Sequence, residues 1–453
     1  MYNCILLSDF LGSCFCFAKR LTISLCLLLF IGCEQQMSPN TITSISGSPF
    51  ASLWYVYVPD LQETRATLIF QHGEYDNDKV HGLPHFVEHL AVRNANKHRS
   101  KAIAPHDGAW TTRLATYYSS SSTIPEEALA NVLRHTQALK LHYDEIIAER
   151  EIVKREYEFR VRDEQARDIW TNTGAFIFQD ERMRRDPLGT PQSIAAFKPP
   201  MAILSHRKTH QLRKGHLILL TPERWARARE LVNTAWARAS TQQHDMSQQP
   251  WSPPQQFTLP FTNGQLHQEI TVPTIATSRF YLSQRTRVNS DVDVNKFEAL
   301  ILLASDFLQD RSAYGMVGAL YYDDYQINTL DLNLEMISAS DLLLTLNAKT
   351  SSETSLGDAK RTVLQFLDNL QFLDMPEPEF ARIKGQLLAR LRNGSDKLNS
   401  ADYVFKALVG RLPVPDTDQI LAAIEALTQD DLRNLFSQMV TSSRRATVFI
   451  RAE

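Results

Sequence analysis

Two hydrophobic periodicities alternate along the chain. Between residues 53 and 74, LWYVYVPD and ATLIFQHGE hold β-branched and aromatic residues in short runs, and the polar stretch Leu61 to Arg65 between them predicts a strand hairpin. From Pro125 the pattern becomes helical: PEEALANVLRHTQALKL and then DEIIAEREIVKREYEFRVRDEQARDIW are rich in strong helix formers. A strand-like GHLILLTPE at 215–223 and a helix over about 223–237 close this half. Residues 240–256, STQQHDMSQQPWSPPQQ, combine Gln, Ser and Pro with few aliphatic residues, the composition of a linker. Beyond it the order recurs in outline. LHQEITVP and TSRFYLSQR read as strands, 294–309 as a helix, TLDLNLEMI and DLLLTLNAKT as strands, and the remainder as helices to the C-terminus. The expectation is an α+β chain of two related α/β domains, 49–239 and 257–453, each a sheet packed with helices. A short-period repeat is absent, which argues against a solenoid.

The N-terminus departs from this pattern. Lys19 and Arg20 precede the apolar run LTISLCLLLFIG, which ends at Cys33 and is short for a membrane span, so residues 1–33 read as a signal peptide. Phe30-Ile31-Gly32-Cys33 resembles a bacterial lipobox with Phe where Leu is usual, which makes Cys33 the expected lipidated residue. An uncleaved anchor helix is the other reading; either one tethers the body to a membrane. Residues 34–48 form a Ser/Thr-rich spacer, and Glu34 after the lipid cysteine favours the outer membrane of a bacterial envelope. All five cysteines (Cys4, Cys14, Cys16, Cys26, Cys33) lie at or before that point, so the body can form no intrachain disulfide and any metal site must use His and carboxylates. A formal net charge of -3 gives no electrostatic ground for a nucleic-acid partner.

Candidate chemistry is concentrated in His81-Gly-Leu-Pro-His85-Phe-Val-Glu88-His89, which contains His-x-x-Glu-His. On a helix, i and i+4 share a face one turn apart, so His85 and His89 can offer two imidazoles to one tetrahedral Zn²⁺. Glu88 stands beside them, placed to take a proton from water. Catalytic zinc keeps a third protein ligand, and Glu156 is the chosen candidate. Glu149, Val153 and Glu156 follow i, i+4, i+7 on one helical face, with Glu149 placed to orient a ligand or polarise the site. Glu151 and Glu158 stay open as alternatives to Glu156.

The order of a strand pair, Gly82-Leu83-Pro84-His85-Phe86-Val87-Glu88-His89, and the later Glu-Arg-Glu-x-Val-x-x-Glu resembles the pitrilysin and insulysin family of zinc metallopeptidases. Further matches are Gly108-Ala109-Trp110-Thr111 with Thr116 and Tyr118, Asp186-Pro187-Leu188-Gly189-Thr190, and Gly318-Ala319-Leu320-Tyr321. The resemblance implies one half of a clamshell peptidase, completed by homodimerisation or by a related subunit, that hydrolyses unstructured peptides. It also implies that substrate adds a strand near Ala109, Trp110 and Thr111, and that Tyr321 offers a donor to substrate. Three departures stand out. Gly108 replaces the Asn usual before Ala, Tyr314 stands where the family places Arg before the Tyr matched by Tyr321, and His89 to Glu156 is a tighter spacing than usual. Gly108 and Tyr314 favour a rival reading, a peptide-binding partner subunit without activity of its own.

Overall fold

Seven consecutive buried residues decide the architecture of the first half. Strand β6 (Gly215–Thr221), GHLILLT, has no exposed position, the pattern of a strand covered on both faces. In this computed structural model, which describes residues 42–77, 80–97, 107–160, 173–242, 259–272, 278–288, 293–318, 327–350, 354–392 and 397–452, it lies at the centre of a six-stranded sheet. β2 (Ser52–Tyr57) runs parallel to it and β3 (Thr64–Phe70) antiparallel on its other side. The hairpin expected of the first two runs therefore does not form: β6 enters between them, because its unbroken apolar run gains most from a central place. Outward from β3 come β5 (Thr116–Ser122) and then β4 (Gly108–Thr111), all antiparallel, so β4 is an edge of the sheet. At the opposite edge, β1 (Ile42–Ser44) pairs with β2, placing a short strand inside the stretch read as spacer.

The second sheet repeats this plan. Its order is β7 (Gly264–Val272), β11 (Ser443–Ala452), β8 (Arg279–Arg287), β10 (Asp341–Thr350) and β9 (Ile327–Ser338). As in β2-β6-β3-β5-β4, the first strand lies parallel to the last of its half, and every other neighbouring pair is antiparallel. The expected run of helices to the C-terminus ends instead in β11. Its ATVFI run is buried on both faces, as the adjacent buried Val448 and Phe449 show, and it forms the second strand from the edge.

Helices cover both sheets. The run expected as a helix over 125–141 stops at Arg134, because Thr136 Oγ1 donates to the Leu133 carbonyl at 2.8 Å and Asn94 holds Ala138 O and Lys140 N. Helix α9 (Lys397–Gly410) of the second half packs Ala401, Val404 and Leu408 on Val56, Ile69, Ala115, Ile218 and Leu220 of the first sheet. Large aliphatic side chains buried this way contribute about 1.5–3 kcal/mol each. Arg285, with no exposed surface, donates to the carbonyls of Ile177, Phe178, Leu259 and Pro260 and pairs with Asp341 at 3.0 Å. Both sheets belong to one packed unit, Ile42–Glu453. Among the described residues no helix is long and apolar enough to cross a membrane.

The core is sensitive to acid. Burial pushes His216, whose Nδ1 lies 2.9 Å from Ser52 Oγ, down to about 4, and lowers His210 and His72 as well. In the unfolded chain these rings titrate near 6.5, so as pH falls below that value the unfolded state takes up protons that the folded state refuses. Stability is present above about 6.5 and is lost toward pH 4, by up to about 3 kcal/mol for His216 alone. The urea midpoint should fall between pH 7 and pH 5, and His216→Gln should flatten that fall. Equal pH dependence in the variant would exclude His216 as a cause.

Candidate active site

Helix α1 (Leu83–Asn96) carries the His-x-x-Glu-His segment, and its N-terminus is fixed by two glycines. Gly82, its N-cap, has φ 78°, and a Cβ there would lie 2.7 Å from Leu188 O and 2.8 Å from Gly189 Cα. Gly189 has φ 82° and meets His81 O in return. These are the left-handed conformations that glycine adopts without penalty, and they let two backbones cross closely. Phe86, Val87 and Leu90 anchor α1 in a cluster with Ile146 and Val153 of α3 (Tyr143–Arg160), Phe86 stacking on Phe197 at 4.7 Å. Docked so, α3 buries the stripe Ile146, Glu149, Val153 and Tyr157 against α1.

This packing brings five sequence-predicted residues together. His85 and His89 sit one turn apart with ring centroids 4.7 Å apart, and candidate ligand atoms of His85, Glu88 and His89 lie within 4.8 Å of one another. Glu156 Oε2 is 3.0 Å from His89 Nε2 and 3.6 Å from His85 Nε2. Glu149 Oε1 is 3.0 Å from His89 Nδ1, which fixes that ring with Nε2 facing the cluster. His85 has no equivalent brace: its buried Nδ1 finds no hydrogen-bond partner among the described residues. Glu151 and Glu158 lie on the exposed face of α3, away from the histidines.

Two arginines that sequence reasoning passed over complete the arrangement. Arg160 binds Glu156 Oε1 at 2.6 Å, leaving Oε2 to the histidines, and Arg93 Nη1 donates to Glu149 Oε2 at 2.9 Å. Each stands four residues after a site residue, Glu156 and His89, and that spacing on a helix is the signal that points to them.

Electrostatics sets Glu156 and Glu88 apart. His89 holds Glu156 down to about 2 by its hydrogen bond. Burial pushes Glu88 up to about 7, against the neighbouring His89 charge and the hydrogen bond that Thr111 Oγ1 donates to its Oε2 at 2.9 Å. Burial and His89 push His85 down to about 3. For His89 burial opposes the charge, but Glu149 and Glu156 outweigh it and raise the ring to about 9. Glu156 is thus a permanent anion and suits a cation, whereas Glu88 exchanges its proton near neutrality and suits acid–base work.

The residues fit a zinc ion. Tetrahedral Zn²⁺ with N and O ligands at about 2.0–2.1 Å separates ligand atoms by about 3.3 Å. The Glu156 to histidine separations of 3.0 and 3.6 Å bracket that value, and cysteine ligands are not required.

The edge strand β4 borders this cluster. Thr111 faces α1, and its cross-strand neighbour Thr116 lies 3.2 Å away and donates to His72 O. Trp110 points to the opposite face, is 47% exposed and stacks on Tyr117 at 5.2 Å. A Cβ on Gly108 would overlap the Trp110 indole, so the glycine makes room for that ring. Ala109 lines a pocket of about 440 Å³ that Glu88, His89, Ser120, Asn131 and Glu149 also border. Tyr314 packs against the hydrophobic core of the second half. Tyr321 and Cys33 lie outside the described residues.

Neither a family model nor a curated protein matches the sequence. Solved structures do match in fold. The periplasmic protease PqqL from Escherichia coli superposes with a TM-score of 0.70 at 14% identity, over 90% of this chain and 47% of PqqL. A protease from Helicobacter pylori gives 0.71 at 14% identity, over 90% of this chain and 99% of that one. A peptidase M16 inactive domain from Pseudomonas fluorescens gives 0.67 at 12% identity, over 90% and 97%. The fold is that of one half of a clamshell peptidase, and the chain spans about half the length of PqqL.

Proposed function

We propose that this chain is a zinc-dependent endopeptidase that hydrolyses unstructured peptides and belongs to the pitrilysin and insulysin type. The observation that carries the reading is the convergence of His85, His89 and Glu156 on one point with Glu88 beside it. Zinc held by His85, His89 and Glu156 would act as a Lewis acid toward the scissile carbonyl and make water nucleophilic at neutral pH. Glu88 would take a proton from the attacking water and deliver it to the leaving amine, with Thr111 fixing the carboxyl for both transfers. Glu149, tied to His89 and Arg93, orients the imidazole.

Substrate joins the sheet at the edge of β4, where backbone pairing holds an extended chain with little sequence demand. Trp110 and Ala109 offer surfaces to its side chains, and Tyr321 supplies a donor from the second half. Trp110→Ala should raise KM by about tenfold while kcat changes little, since an exposed stacked indole contributes to binding and not to chemistry. An unchanged KM would place the substrate elsewhere.

The chamber requires a second half, supplied by another copy or by a related subunit; PqqL, about twice as long, supports this. Cys33 carries a lipid that tethers the body to the bacterial envelope, facing the periplasm, and Glu34 after it favours the outer membrane. The intact ligand and base set weighs against the inactive partner reading, since a scaffold has no use for a protonatable carboxyl beside two metal-facing histidines. Hydrolysis of a pool of unstructured peptides by zinc-loaded protein starting after Cys33, abolished by a chelator, tests the proposal. Zinc binding without hydrolysis would return the chain to the partner reading.

A further inference from the structure

Arg411 closes a path of hydrogen bonds from the second half to the catalytic cluster. It follows α9 directly, has φ 56° and is buried at 8% exposure. A non-glycine residue keeps that conformation where surrounding contacts hold it there. Its Nη1 donates to Asp76 Oδ1 at 2.9 Å and its Nη2 pairs with Asp76 Oδ2. Nε and Nη2 also donate to Leu114 O, at 3.0 and 2.6 Å. One guanidinium therefore grips two segments of the first half at once, the turn at 73–76 and the β4–β5 connection.

Both segments lead to the site. Asp76 Oδ2 accepts from Gly73 N, Glu74 N donates to Thr112 O, and Tyr75 N donates to Arg113 O at 2.8 Å. Gly73 approaches so closely that a Cβ would lie 2.5 Å from Arg113 O. The β4–β5 connection continues directly from Thr111, the last residue of β4, whose hydroxyl holds Glu88. The turn carries Glu74, fully buried, whose Oε2 accepts from Gly82 N at 2.9 Å at the start of α1. Arg411 thus braces both the strand that holds Glu88 and the helix that bears it.

We infer that Arg411 is a positioning residue: by clamping Asp76 and Leu114 it fixes Thr111 and the start of α1, so that docking of the second half sets the geometry of Glu88. The inference rests on the peptidase reading for the role of Glu88, but the clamp can be tested without it. Arg411→Gln and Arg411→Lys keep a non-glycine residue at the same φ, so they change the side chain and leave the backbone preference alone. Gln71→Ala serves as control, since it removes another contact between the halves, Gln71 Nε2 to Leu408 O at 2.8 Å, without touching the clamp.

In R411Q, amide deuterium exchange across 108–116 should quicken at least tenfold and kcat should fall at least tenfold, with KM and zinc stoichiometry within twofold of wild type. R411K should recover part of both. Q71A should leave both within twofold. Unchanged exchange in R411Q, an equal loss in Q71A, or quickened exchange with full kcat each overturns the inference. If R411Q fails to fold, Asp76→Asn, which weakens the same fork from the other side, must give the same pattern. If wild type hydrolyses nothing, the peptidase reading fails, and exchange alone then decides whether the clamp exists.

Discussion

Glu88→Gln is expected to lower peptide hydrolysis by about 10²–10⁴-fold while the protein keeps its zinc and its fold. The substitution preserves shape and size, and Thr111 Oγ1, 2.9 Å from Glu88 Oε2, can still donate to the amide oxygen. What disappears is a group able to exchange a proton near pH 7, the range to which burial pushes Glu88. Glu156→Gln should behave differently. It replaces the permanent anion nearest both histidines, so it should cost zinc first and activity as a consequence. The pair separates base from ligand: E88Q stays metal-loaded and slow, whereas E156Q regains rate when zinc is raised. Retention of near-wild-type kcat in E88Q would remove Glu88 from the chemistry and end the mechanism proposed here.

The part of this site legible in the sequence is the part that lives on single helices. His85, Glu88 and His89 are fixed relative to one another by helical spacing alone, and α1 places them as that spacing requires. Glu156 and Glu149 were legible as a stripe, but their distance from the histidines depends on how α3 packs against α1 through Phe86, Val87, Leu90, Ile146 and Val153, which no local pattern encodes. Arg160 and Arg93 became meaningful only once that packing chose their carboxylate partners. The fold divides in the same way. Strand and helix identities followed periodicity, as with α6 (Val294–Gln309), whose bounds match the expected run. Neighbour relations did not: the insertion of β6 between β2 and β3 is a contest between pairings that only the completed sheet resolves. Arg411 lies at the far end of this scale, because its partner Asp76 is 335 positions away and nothing local marks it.

Zinc binding at pH 7 should release about one to one and a half protons, and the apparent affinity should rise at least about tenfold per pH unit until roughly pH 9. The sign follows from His89. Its hydrogen bonds to Glu149 and Glu156 hold the ring protonated up to about 9, whereas a ligating imidazole must offer a lone pair. Metal and proton therefore compete for His89 Nε2 below about pH 9, and above it the competition ends and affinity levels off. His85, pushed down to about 3, is already neutral, and Glu156, held near 2, is already ionised, so neither adds a proton to the count at pH 7, whereas Glu88, pushed up to about 7, is about half protonated there and adds up to about half a proton. Titration calorimetry in buffers of different ionisation enthalpy reads this number directly. Glu149→Gln extends the test. It removes one of the two carboxylates that raise His89, so less proton should be released, yet it also removes the brace on the ring, and zinc affinity should fall by about 10–100-fold. A proton count near zero in the wild type would mean that His89 is neutral before the metal arrives, and that Glu149 and Glu156 do not hold the charge the hydrogen bonds describe.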